Sequence, residues 1–148
     1  MAFHFRFEQL LFLAEHEETE EKNRLARKDA QIAETSTKIA EIEEKFDATL
    51  DAKAQDLLAG NLARLGVYEA FFSRLESERA YYEDEIERFL KQREKLLEIL
   101  TEKRRTRLTY QKLRERDEFA YRKAEEKRDQ KNMDEFAGRI PRGDKQHV

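Results

Sequence analysis

Three histidines, His4, His16 and His147, are the first side chains to question, because imidazole is the commonest metal ligand and the usual proton carrier near neutral pH. They are scattered, and His16-Glu17-Glu18-Thr19-Glu20 lacks the second histidine that a zinc-binding HExxH helix requires. Asp47 and Asp51 stand one helical turn apart, but the glycine and terminal glutamate of a calcium loop are missing, so a solvated helix face is expected there. The chain has no cysteine, which removes disulfides, thiolate zinc sites and thiol nucleophiles together and suits a reducing cytoplasm. Neither a GxxxxGKS/T phosphate loop nor a GxGxxG dinucleotide loop occurs, so any coupling to ATP has to come through a partner. Arg142-Gly143-Asp144 spells an adhesion tripeptide, and chance in a tail explains it. The expectation is a protein that is not an enzyme, with no catalytic, cofactor or metal site.

Two groups of residues point to binding instead. Lys103, Arg104, Arg105, Arg107, Lys112 and Arg114 fall within twelve residues that contain no acid, and such a stretch suits phosphate or acidic protein. The acidic run Glu15-His16-Glu17-Glu18-Thr19-Glu20-Glu21 offers it a partner within the chain, and a nucleic-acid role is the least favoured reading. The second group is Tyr68, Phe71, Phe72, Tyr81 and Tyr82, with Phe46 and Leu50 able to pack against it; Phe71 and Tyr81 are the members best placed to meet a partner.

What must position these groups is long helix. Proline is absent until Pro141, and the glycines are Gly60, Gly66, Gly138 and Gly143, so little interrupts stretches rich in Ala, Glu, Lys, Arg, Leu and Gln. Leu11, Leu25, Ile32, Ile39 and Phe46 share a seven-residue spacing, with Ala26, Ala33 and Ala40 one step on and Ile42 and Leu50 completing the face. Tyr68, Leu75, Tyr82, Phe89, Leu96 and Tyr110 repeat in the same way, joined by Phe71, Phe72, Ile86, Ile99, Leu100, Leu113, Ala120 and Tyr121. Both stripes are coiled-coil seams. The expected fold is all-α, a two-helix antiparallel coiled-coil hairpin forming one domain, with helices over about 3–58 and 67–136, a reversal over about 59–66 and a flexible tail over 137–148. Helices of these lengths would run roughly 80 and 105 Å.

Charge argues for an intramolecular hairpin. Folding about residue 63 sets the acidic run opposite the basic one, whereas a parallel homodimer would stack each run on its own copy. A chain monomeric on its own is expected. Glu18, Glu21, Lys103 and Arg107 fall on the seam, where polar groups either fix register or keep that end separable.

Composition sets the limits. Of 148 residues 43% are charged and 39% hydrophobic, with a net charge of −3. Leu, Ile, Val and Phe number 16, 6, 2 and 10, enough for a thin core. The longest apolar run, Leu10 to Ala14, is far short of the roughly 20 residues of a membrane span, and no integral membrane segment is expected.

The opening Phe3-His4-Phe5-Arg6-Phe7-Glu8-Gln9-Leu10-Leu11-Phe12-Leu13 and its acidic continuation resemble the start of the flagellar export protein FliJ family. Leu113-Arg114-Glu115-Arg116, Tyr121-Arg122 and Gln130-Lys131-Asn132-Met133-Asp134-Glu135-Phe136-Ala137-Gly138-Arg139 resemble its ending. The related stalk proteins of injectisome secretion systems are similar in design, and a coiled-coil scaffold without an export role is the plainest alternative. The resemblance implies a cytoplasmic stalk, peripherally held at the inner face of the cell membrane at the flagellar base. It would enter the ring of the export ATPase, promote ring assembly, contact the membrane export gate and escort export chaperones. Carried over, ring contacts would fall on Phe3, Phe5, Phe7, Leu10, Leu11, Tyr121, Met133 and Phe136, and gate contacts on Phe46, Phe71, Phe72 and Leu75.

Overall fold

Two helices account for the fold: α1, Glu8–Leu58, and α2, Leu65–Arg139. The structure is a computed structural model and describes residues 2–139. No strand occurs among the described residues. The expected all-α antiparallel hairpin is what forms, and in α2 neither a proline nor an unfavourable run interrupts 75 residues of helix. The chain falls into two compact units. One joins the N-terminal segment through Glu18 to the chain from Lys103, and the other is Thr19–Glu102.

In the unit Thr19–Glu102 the α1 seam is a strict alternation of three and four: Glu21, Leu25, Lys28, Ile32, Thr35, Ile39, Ile42, Phe46 and Thr49 are buried or half-buried. Opposite them Phe72, Leu75 and Leu100 are buried and Tyr82, Phe89 and Leu96 half-buried. One narrow stripe per helix is all that a two-helix seam can cover. Ala26, Ala33, Ala40, Leu50 and Ile99 were expected on the seam and are exposed, because each lies a step off this alternation.

The register differs from expectation by one helical turn. Asp29–Arg93 at 2.6 Å, Glu43–Arg79 at 3.0 Å and Lys53–Glu69 at 2.8 Å are ion pairs whose residue numbers each total 122, where folding about residue 63 requires 126. The turn explains the shift. Gly60 takes a left-handed φ of 73°, Asn61 N–H donates to the Asp56 carbonyl at 2.8 Å and Gly60 N–H to that of Leu57 at 3.2 Å, a Schellman closure of α1. Gly66 plays no such part. It lies inside the first turn of α2, so the reversal spans residues 59–64 and its centre moves back from residue 63.

The unit of the termini repeats the antiparallel pairing: Glu8–Arg114 and Glu18–Arg104 also total 122. Leu11 and Ala14 are buried there, and Ala120, expected on the seam, is exposed. Helix α1 begins at Glu8, later than expected: a turn at Arg6 and Phe7, in which the Glu8 N–H donates to the Phe5 carbonyl at 3.3 Å, precedes it. Helix α2 passes through Gly138 and ends at Arg139, so this glycine does not stop it. The tail expected beyond lies outside the described residues.

Candidate functional site

The N-terminal segment lies as a ribbon of rings against α2. The Phe3 ring stands 5.5 Å from Tyr121, Phe7 stands 6.5 Å from Tyr110, and Phe5 meets Phe7 edge-on at 5.9 Å. Phe5 is 2% exposed and Leu11 is buried, so both anchor the segment. Arg6 stacks over the outer side of the Phe7 ring at 5.2 Å. The Tyr121 hydroxyl donates to Glu125 at 2.8 Å, and this bond to a carboxylate raises the phenol above its ordinary pKa.

Beyond Tyr121 the helix loses its cover. Every residue from 126 to 139 is exposed, with Met133 70% and Phe136 71% exposed. Leu10 is exposed too, as are Phe12 and Leu13 of the same opening segment and Phe119, which the sequence did not single out. Their signal is legible afterwards: each is a large apolar residue one step off the seam alternation. Of the eight residues marked for the ring, the structure buries Phe5 and Leu11, half-buries Phe3, Phe7 and Tyr121, and leaves Leu10, Met133 and Phe136 open.

The basic stretch divides in two. Lys103 pairs with Glu17 at 3.0 Å, Arg104 and Arg107 both with Glu18, and Arg114 with Glu8 at 3.3 Å. Arg107 also donates to Gln111 at 2.7 Å. Arg105 and Lys112 point away from α1 and are exposed. The acidic run thus meets the basic stretch as charge predicts, one turn from the expected register, so Glu18 faces Arg104 and Arg107 in place of Thr109.

In the unit Thr19–Glu102, the Phe46 and Phe72 rings meet at 4.8 Å with their planes tilted by 52°, and a cavity of about 110 Å³ opens between Ile42, Glu43, Phe46, Leu75, Glu76 and Arg79. Lys53 lies over the Phe72 ring at 5.7 Å. Phe71 is half-buried, and Tyr81, against Tyr82 at 5.4 Å, is 58% exposed. The two marked surfaces therefore belong to different units. Glu21 is buried in this unit as well; one carboxylate oxygen takes Arg24 at 3.0 Å and the other, Oε2, has no hydrogen-bond partner.

Among the described residues no group of three potential ligands gathers for a metal, and no helix is long and apolar enough to cross a membrane. A family model described as "Flagellar FliJ protein" matches residues 3–146. No match was found among curated proteins or among solved structures.

Proposed function

The chain belongs to the flagellar FliJ family, with a role in flagellar protein export, and from that premise we propose that it is a non-enzymatic stalk that docks its terminal unit into the ring of the export ATPase and promotes ring assembly. One observation carries the reading. Within a single unit, α2 is bare from residue 126 to 139, carrying Met133 and Phe136, and Leu10, Phe12, Leu13 and Phe119 are exposed large apolar side chains. The stretch continues a helix already formed, so a partner that covers it gains the apolar contacts without having to order the chain. The buried Phe5 and Leu11 hold the unit together beneath these groups, and the exposed residues make the contact. The surface around Phe46, Phe71, Phe72 and Leu75 would serve the export gate, and chaperone escort would use the remaining helix faces. Such a chain would work in the cytoplasm against the inner face of the membrane.

The test follows ATP hydrolysis and ring formation by the cognate export ATPase. Met133→Ala/Phe136→Ala, at two exposed positions of α2, is expected to weaken stimulation at least about tenfold with helicity unchanged. Phe46→Ala/Leu75→Ala is expected to leave the ATPase response in place. Full stimulation by Met133→Ala/Phe136→Ala would refute the docking surface.

A further inference from the structure

Outside the seam, the terminal unit carries a row of bases. Arg105, Lys112, Arg116, Lys123 and Lys127 follow one another at spacings of seven, four, seven and four, and all are exposed. At 100° per residue they keep within about 40° of one line, on the side of α2 away from half-buried Lys103, Arg107, Tyr110 and Tyr121. No acid joins the row. Among the described residues none of the five has an ion pair, and Lys123 only covers the ring of Phe119, itself 63% exposed in the middle of the row. Lys112–Arg116 and Lys123–Lys127 are like charges one turn apart, an arrangement that costs the helix energy unless something opposite answers it.

The other unit carries the answering row. Glu76, Glu83, Glu87, Glu94 and Glu98 have the same spacings of seven, four, seven and four and are all exposed; Glu83 to Glu98 lie away from the seam residues Tyr82, Phe89 and Leu96, and Glu76 borders the cavity beside Leu75. Glu83 and Glu87 make only exposed within-helix pairs, with Arg79 and Lys91.

We propose that the basic row of one copy takes the acidic row of a second copy, the two α2 helices lying parallel and staggered by 29 residues. That stagger sets every base of the one row against an acid of the other. It also brings Phe119 against Leu90, which is 48% exposed, an apolar contact at the centre of the pairing. The best antiparallel register, with Lys112 at Glu98, pairs four of the bases but sets Arg105 against the same residue of the second copy and Phe119 against Lys91, where the parallel stagger pairs all five. Exposed ion pairs are individually weak, so the association is salt-sensitive and concentration-dependent, and the chain is monomeric when dilute or at high ionic strength. This inference does not depend on the export reading, and its test contains no ATPase.

Sedimentation of the purified full chain is expected to show self-association near about 0.1 M salt that weakens about tenfold or more near about 1 M, as the screening length falls from about 10 to about 3 Å. Glu94→Lys/Glu98→Lys and Lys123→Glu/Lys127→Glu, each as helical as the parent, are each expected to abolish it, and a mixture of the two to restore it, because each variant keeps the row that the other has lost. Zero-length carbodiimide coupling of isotopically light and heavy chains is expected to join Lys123 to Glu94 and Lys127 to Glu98 between copies. A chain that stays monomeric at low salt overturns the proposal. So does association that both variants retain, or mixed-isotope links that fall elsewhere. Binding of the basic row to vesicles of anionic lipid or to nucleic acid, with no self-association, would overturn it too and assign the row to that partner.

Discussion

Replacing Glu18 tests what the polar seam contributes. Its side chain is 4% exposed and accepts from Arg107, 22% exposed, and Arg104, 50% exposed. Breaking a fully buried pair costs about 3–5 kcal/mol. Here the two guanidinium groups keep partial access to water, which lowers the figure towards that of a charged hydrogen bond, so Glu18→Ala is expected to lose about 2 kcal/mol. For a chain of this size that is roughly 4–8 °C in midpoint temperature. Glu18→Leu/Arg107→Leu, which replaces the charge pair by seam contacts, should recover the loss and exceed the parent by about 1 kcal/mol or more. Glu21 gives the contrast: its unpartnered Oε2 is buried at a cost of about 1–3 kcal/mol, so Glu21→Leu is expected to stabilise. Urea unfolding followed by far-ultraviolet circular dichroism measures all four chains. If Glu18→Ala stays within about 0.5 kcal/mol of the parent, the pair is a solvated surface contact and the argument fails.

Two further perturbations probe the turn. Gly60→Ala forces a left-handed φ onto a side chain and should cost about 1 kcal/mol, whereas Gly66→Ala, in α2 with nothing within 4 Å, should gain about 0.5–1 kcal/mol; equal effects in urea unfolding would refute the assignment of the turn to Gly60. The Tyr68 hydroxyl donates to the Asp56 carboxylate, which holds the phenol above its ordinary value of 10.0. The protonated phenol is favoured in the folded chain, so its contribution is present below that ordinary value and disappears as pH rises through the raised one. Asp56→Asn should bring the tyrosinate absorbance of Tyr68, isolated by difference against Tyr68→Phe, back towards 10.0, and an unchanged titration would contradict the contact.

The hairpin was legible because its cause is local and repeated. A seam every three or four residues and one glycine-bearing interruption leave a chain few other ways to bury Phe72 and Leu75. Register was legible only to a turn, since Gly60 and Gly66 look alike in sequence and only backbone geometry tells which of them closes α1. The non-helical start was not legible as a boundary, because the helix formers from Glu8 onward carry a strong local signal and the turn at Arg6 and Phe7 has no glycine or proline to mark it. Exposed Phe119 and the continuation of the basic row through Arg116, Lys123 and Lys127 are less legible for a related reason: a seam period marks the residues that pack and says nothing of those beside it, where partners bind.

The bare end of α2 shows how a thin fold can present such residues. A detached helix covering residues 126–139 would have to meet the nucleation cost alone and would form poorly. Here the stretch continues a helix already held at Tyr110 and Tyr121 by the Phe7 and Phe3 rings, so only propagation remains, and Arg122–Glu118 at 2.9 Å supports the step outward. Met133 and Phe136 are then displayed on a pre-formed helix whose ordering a partner need not supply. The buried ring of Phe5 and the half-buried rings of Phe3 and Phe7 therefore govern docking through the helix they hold: loosening them would weaken affinity.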